Sequence, residues 1–222
     1  MRVIAKIRTD FPTKFGIPRQ SGIIESLKGT IVFEPEYRNP DAVRGLEEFS
    51  HLWLIWEFSA AKRDEWSPTV RPPRLGGNTR KGVFATRSPF RPNRLGLSSV
   101  RLVGVTLQSD EGPLLHVAGA DLMDGTPIVD IKPYVAYCDA HEGARSGFAT
   151  ERPEARLTVE WKENYGLTET LRDEISAVVA QDPRPSYQND SERVYGMRYG
   201  GYEIHFQIDG EIAEITGVEI DK

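Results

Sequence analysis

At 222 residues, 39% of them hydrophobic and 27% charged, the chain has room for one sizeable core, or for one domain plus a small appendage. A net charge of −5 excludes a uniformly basic nucleic-acid binder. No apolar run reaches the ~18 residues of a membrane span, the N-terminal stretch is too polar for a secretory signal, and a single cysteine, Cys138, excludes an internal disulfide, so a cytoplasmic protein without a membrane partner is expected.

Short runs rich in β-branched and aromatic residues predict strands over 3–7, 29–33, 51–58, 83–86, 98–105 and 114–119. Gly, Pro, Asn or Asp separate them. Before residue 140 only the segment 40–49 predicts a helix. Many short strands with few helices point to a mainly β fold, an antiparallel β-barrel rather than a doubly wound sheet.

The apolar rhythm stops after residue 140, where Gly, Ala, Ser and Arg take over. A linker is expected over 143–154, dividing a domain at 1–142 from a second at 155–222. In the second, 155–161 reads as a strand or short helix. Residues 168–180 predict a helix with the apolar stripe Leu171, Ile175, Val178 and Val179. Three further strands, 193–198, 202–208 and 211–218, are joined by Gly200-Gly201 and Asp209-Gly210, both good hairpin turns. A small C-terminal α+β domain is the result.

Charge is not spread evenly. Residues 62–101 hold ten basic side chains against Asp64 and Glu65, a net +8 within an acidic chain. Inside that segment Arg87, Arg91, Arg94 and Arg101 surround Pro89, Pro92 and Asn93. The prolines fix the backbone and remove donors, so guanidinium forks sit on a stiff loop suited to carboxylate or phosphate. A solvated basic turn explains the same spacing, but the charge concentration favours a polyanion or an anionic small molecule.

Several chemistries are excluded. No two of the 20 glycines stand two residues apart, so a dinucleotide-type Gly-x-Gly-x-x-Gly cannot occur, and there is no Walker loop. A nucleotide-like cofactor would therefore need a non-Rossmann fold. The four histidines are scattered without metal-ligand spacing, so no metal is expected, and His51 reads as a satisfied strand residue. Cys138 has no activating base beside it in sequence and reads as an inert thiol.

Two turn-rich segments remain. In 15–22, Arg19 and Gln20 are placed to face a ligand. In 121–134, Asp124 opens an Asp-Gly-Thr-Pro turn, which alone is equally well a capped hairpin. Asp130 and Lys132 follow on one strand face and are able to pair with each other.

Pro18-Arg19-Gln20, the stretch from Val43 to Trp53, Val70-Arg-Pro-Pro-Arg-Leu-Gly-Gly77, Thr86-Arg-Ser-Pro-Phe-Arg-Pro-Asn93 and Asp124-Gly-Thr-Pro-Ile-Val-Asp-Ile-Lys-Pro133 together resemble the TsaA-like family, and within it the bacterial tRNA methyltransferases. Residues 180–187 resemble the C-terminal domain of the bacterial members. The resemblance implies a homodimeric β-barrel that binds S-adenosylmethionine and methylates N6 of the threonylcarbamoyl-modified adenosine at position 37 of tRNA. Carried over by motif, the cofactor contacts are Pro18, Arg19, Gln20, Ser59, Ala60, Arg87, Leu97, Asp124, Gly125, Thr126 and Pro127. Arg94 replaces the family's usual proline, and Ser59-Ala60 replaces a bulkier polar pair.

The chemistry so implied asks for particular groups. Arg19 or Arg87 suits the cofactor's carboxylate, and Asp124 its amino group or ribose. An N6 already carrying a carbonyl is a weak nucleophile with a more acidic N–H, so a base would help; Asp130 and Tyr134 are the candidates. Arg91 or Lys132 suits the substrate's threonyl carboxylate, and Lys81, Arg91 and Arg94 suit the anticodon stem-loop. A non-enzymatic β-barrel that binds RNA or senses S-adenosylmethionine is the alternative these residues leave open.

Overall fold

The computed structural model describes residues 1–60, 65–108, 110–185, 188 and 190–221. In chain order the first unit contains β1 (Ala5–Thr9), β2 (Lys28–Phe33), β3 (His51–Glu57), β4 (Thr69–Val70), β5 (Lys81–Gly82), β6 (Leu95–Thr106), β7 (Leu114–Ala118), β8 (Pro127–Pro133) and a one-turn helix α1 (Ala136–Asp139). Strands β1-β2-β7-β6-β3-β8 close into an antiparallel barrel, and β4 and β5 form a separate two-stranded hairpin outside it. The second unit contains β9 (Thr158–Trp161), α2 (Glu169–Ala180), β10 (Tyr195–Tyr199), β11 (Tyr202–Asp209) and β12 (Ile212–Ile220), with sheet order β10-β11-β12-β9.

Alternation in the sequence decides the barrel's inside. In β3, Leu52, Leu54 and Trp56 point inward while His51, Trp53, Ile55 and Glu57 stay partly exposed. With Ala5, Ile7, Ile31, Val100, Leu115, Val117 and Ile128 they fill the interior as one cluster. The second core lies between α2 and its sheet, where Ile175, Val178 and Val179 meet Met197, Ile204, Phe206 and Ile215. Thr168 caps α2 by accepting from the Leu171 N–H at 3.3 Å.

The second core borrows from the first unit. Phe11, Ile24 and Leu27, all on the connection between β1 and β2, are buried in it. Arg152 donates to the Gly22 carbonyl at 2.7 Å, and the Gly200 N–H to the Asp10 carbonyl at 3.0 Å. A sequence division at 143–154 does not reveal this crossing.

Two expected elements are different. Residues 40–49 form two 3-10 turns, Pro40–Val43 and Leu46–Glu48, instead of a helix, because Arg44 is extended and Gly45 takes φ 82° between them. The strand expected over 83–86 is a 3-10 turn, Val83–Ala85. There Val83 is buried and its N–H donates to the Pro68 carbonyl, while Phe84 turns outward. The segment 155–161 settles as a strand, parallel to β12. Gly200-Gly201 makes its hairpin with both φ positive, whereas the second turn falls one residue later than expected, on Gly210-Glu211.

Candidate functional site

A cavity of about 560 Å³ opens where the end of β3 meets the start of β6. Five separate segments wall it. The β1–β2 connection supplies Pro18, Arg19 and Gln20; the chain leaving β3 supplies Phe58, Ser59 and Ala60; the loop before β6 supplies Thr86, Arg87 and Arg91. Leu95, Gly96 and Leu97 come from β6, and Asp121, Met123 and Thr126 from the β7–β8 connection. Its size is that of a small-molecule site.

Local rules fix each wall. Trp56 pairs with Gly96 across β3 and β6, and a Cβ at position 96 would lie 2.2 Å from the Trp56 ring. Only glycine lets the indole lie there, tilted against Phe58 with centroids 4.3 Å apart. The Trp56 Nε1–H donates to the Ser98 hydroxyl at 3.0 Å, and that hydroxyl donates to Asp121 Oδ1 at 2.6 Å. Burial pushes the Asp121 carboxyl above the ordinary range, an effect opposed by the Ser98 hydrogen bond and by the charge of Arg87.

The arginine loop is stiff, as its prolines imply. The Thr86 hydroxyl donates to the Val83 carbonyl at 2.9 Å and accepts from the Ser88 N–H at 3.2 Å, and the Ser88 hydroxyl accepts from the Phe90 N–H at 3.2 Å. Arg91 Nη1 donates back to the Thr86 carbonyl at 3.3 Å. Arg87 Nη1 donates to the Gln20 side-chain oxygen, joining two walls of the cavity.

Of the residues singled out by sequence, Pro18, Arg19, Gln20, Ser59, Ala60, Arg87, Arg91, Leu97 and Thr126 come together here. Asp124, Gly125 and Pro127 do not line the cavity. Asp124 accepts from the Thr9 N–H at 3.0 Å, and the Gly125 N–H donates to the Ile7 carbonyl at 2.8 Å, so this turn is tied to β1; it reaches the cavity wall at Thr126, which is buried with its hydroxyl donating to the Met123 carbonyl at 2.6 Å. Asp130, Lys132 and Tyr134 lie elsewhere. Asp130 and Lys132 are 3.9 Å apart on the outer face of β8, and the Tyr134 ring packs against Trp53 and His51. Lys81 sits on β5, and Arg94 offers its carbonyl to the Phe58 N–H at 2.9 Å.

Sequence reasoning missed Asp121. Its partner Ser98 is 23 residues away in the chain, and nothing local distinguishes it from Asp124. Lys62, Arg63 and Asp64 of the basic segment, and Ser186 and Tyr187 of the tail motif, lie outside the described residues. Among the described residues no group of three His, Cys, Asp or Glu is placed to hold a metal ion. His116 sits between the hydroxyls of Thr30 and Thr106, a satisfied strand histidine.

The donor set fits a zwitterionic nucleoside. Arg19 and Arg87 offer forks for a carboxylate, Asp121 offers a carboxylate for an amine or a ribose hydroxyl, and Phe58, Leu95, Leu97 and Met123 offer apolar surface for a base.

Comparison with known proteins gives the same direction. Residues 6–140 match the tRNA-methyltransferase O N-terminal domain, and residues 153–221 match the TrmO C-terminal domain. The chain is 40% identical to the tRNA (adenine(37)-N6)-methyltransferase of Escherichia coli, over 97% of this chain and 96% of that one. It is 43% identical to a putative S-adenosylmethionine-dependent methyltransferase, RcsF, of Pseudomonas aeruginosa, over 91% and 90% of the two chains. A crystal structure of TrmO from P. aeruginosa superposes with a TM-score of 0.76 at 34% identity, covering 98% of this chain and 94% of that one. With both domains matched in order and a non-Rossmann barrel presenting a nucleoside-sized cavity, the chain belongs to the tRNA-methyltransferase O family.

Proposed function

We propose that this chain transfers the methyl group of S-adenosylmethionine to N6 of the threonylcarbamoyl-modified adenosine at position 37 of tRNA, as a cytoplasmic homodimer. The observation that carries this reading is the gathering of Pro18, Arg19, Gln20, Ser59, Ala60, Arg87, Leu97 and Thr126, distant in sequence, around one cavity. When bound, S-adenosylmethionine supplies an electrophilic methyl carbon for in-line displacement, so the chain's task is chiefly positioning. Arg19 and Arg87 hold the amino-acid carboxylate, and Asp121 faces the cationic end or the ribose. The Gln20–Arg87 contact fixes the distance between two walls. The Asp124–Pro127 turn braces the cavity wall at Thr126.

Arg91, at the cavity wall, is the group we assign to the substrate's threonyl carboxylate; Lys81 and Arg94 contact phosphate. Asp130 occupies the same outer row as Ile55 and Leu97 on β8, β3 and β6, about 10 Å from Leu97 at the spacing of strands. A proton-accepting role for Asp130 or Tyr134, or a carboxylate-binding role for Lys132, therefore requires a second copy docked on that face. Its apolar members Ile55 and Leu97 suit such docking, and Leu97 is about half exposed. The unit at 155–222 supports the loop carrying Arg19 and assists tRNA binding.

The test is nucleoside mass spectrometry after incubating the protein with S-adenosylmethionine and threonine-decoding tRNA, with and without the threonylcarbamoyl group. A mass gain of one methyl on the modified nucleoside alone is expected. Transfer to unmodified adenosine, or none, would overturn the acceptor assignment.

A further inference from the structure

Just before the arginine loop of the cavity stands an aromatic pair that, among the described residues, belongs to neither core. Trp66 and Phe84 lie with ring centroids 6.2 Å apart and planes inclined by 26°, yet they are 51% and 72% exposed. Two large rings on the surface are not explained by core packing, and their burial elsewhere would be favourable. Hydrogen bonds anchor the turns that carry them. Phe84 is on the 3-10 turn anchored by buried Val83, whose N–H is bonded to the Pro68 carbonyl, and Trp66 precedes Ser67, whose hydroxyl donates to the Thr69 carbonyl at 2.7 Å. Between them runs the β4–β5 hairpin, further braced by Arg80 donating to the Thr69 hydroxyl at 2.8 Å.

Charge around the pair is mostly positive, with Glu65 the one acidic side chain among the described residues from 65 to 94. Arg71, Arg74, Arg80, Lys81, Arg87, Arg91 and Arg94 flank it in sequence, and among the described residues none of the seven is in an ion pair. Elsewhere the arginines Arg2, Arg8, Arg44, Arg184 and Arg198 each meet a carboxylate. Exposed rings amid uncompensated cations form a surface for a single-stranded polyanion with flat bases, because phosphate is held by charge and bases by stacking. Thr86, two residues beyond Phe84, already lines the cavity, so a base resting on the pair and a base entering the cavity belong to one short stretch of strand.

We infer that Trp66 and Phe84 form a stacking platform for an unpaired base of the tRNA anticodon loop, next to the base that enters the cavity. This inference rests on the tRNA reading above and assigns a base-contacting surface to it. The platform holds the loop open while the target base is out of the stack, so its removal weakens RNA binding without touching the cofactor.

The test compares Trp66→Ala and Phe84→Ala with wild type and with Phe84→Trp. The probes are an anticodon stem-loop RNA and a fully paired RNA duplex of equal length, each titrated across a range of salt. S-adenosylmethionine affinity is measured in parallel by calorimetry. Each Ala variant is expected to bind the stem-loop about tenfold more weakly, the scale of one lost base stack, with duplex binding, cofactor affinity and salt slope unchanged. Phe84→Trp should retain wild-type binding. Unchanged stem-loop affinity in the Ala variants, an equal loss on duplex RNA, or a Phe84→Trp protein that binds as weakly as Phe84→Ala overturns the platform. A fall in oligomeric mass with intact RNA affinity would assign the pair to a protein contact instead and also overturn it. If the wild-type protein itself ignores the stem-loop, the tRNA reading has failed first, and that is visible before any variant is made.

Discussion

The ring of Phe11, from the connection that follows β1, meets Tyr199 of the C-terminal sheet edge-on, with centroids 4.9 Å apart. Both are almost fully buried. The loop bearing Pro18, Arg19 and Gln20 thus begins at one anchor in the second core, Phe11, and ends at two more, Ile24 and Leu27. The C-terminal unit is therefore a wall behind the cofactor loop as well as an appendage. Phe11→Ala should cost about 3–5 kcal/mol of stability, through lost burial and the cavity left behind. It should also weaken S-adenosylmethionine binding, although Phe11 does not line the cavity. Calorimetry below the variant's melting temperature checks this; wild-type cofactor affinity in a folded Phe11→Ala protein would uncouple the two.

Gly96 offers a sharper probe of the cavity's shape. A methyl group there would overlap the Trp56 indole, a rigid ring that is itself held by Ser98. Gly96→Ala should displace the indole, cost on the order of 1–3 kcal/mol in stability, and abolish most cofactor binding. Thermal melts and calorimetry read both effects. A protein that keeps wild-type cofactor affinity would show that Trp56 is not a necessary wall.

How much of this was legible in the sequence depends on periodicity. The strand His51–Glu57 could be read because apolar residues alternate along it, and the helix Glu169–Ala180 because its apolar stripe repeats at helical spacing. Short segments gave no such signal. Val83 and Phe84 look like strand residues, but a two-residue apolar pair cannot distinguish a strand from a 3-10 turn that buries one ring-free side chain and exposes a ring. The cavity's polar loops were legible because Pro, Gly and Arg cluster there. Asp121 was not, since its role comes from a partner on another strand. Phe11, Ile24 and Leu27 were equally opaque, being apolar residues of a turn-rich stretch without strand or helix periodicity that pack into a core built from residue 157 onward.

Asp121 gives a pH prediction with a definite sign. Burial raises its carboxyl, so the folded protein holds that proton to higher pH than the unfolded chain does. Its contribution to stability therefore falls as pH rises from the ordinary carboxylate range through the raised folded value, and is flat above it. Asp121→Asn should be no less stable than wild type near neutral pH, and that advantage should vanish in acid. Cofactor binding should run the other way. Affinity for the cationic ligand should increase as wild-type Asp121 ionises, and the Asn variant should bind weakly with no such pH dependence. Calorimetric titrations across the acid range test this, and a wild-type affinity independent of pH would remove Asp121 from the site.

The basic loop tests the RNA surface by charge. Lys81 on β5, Arg91 at the cavity wall and Arg94 just before β6 have no ion-pair partners among the described residues, and each phosphate they neutralise releases counterions. Lys81→Ala, Arg91→Ala, Arg94→Ala in one protein should lose most tRNA binding at moderate salt while keeping its S-adenosylmethionine affinity. The slope of log affinity against log salt should become shallower by about 0.7 for each lost contact to single-stranded phosphate. Arg91 separates two roles, because it lines the cavity and is assigned to the threonyl carboxylate. Arg91→Ala alone should then reduce methyl transfer to the modified tRNA more than it changes the salt slope. Should the triple variant bind tRNA with unchanged affinity and slope, the phosphate contacts lie outside this loop.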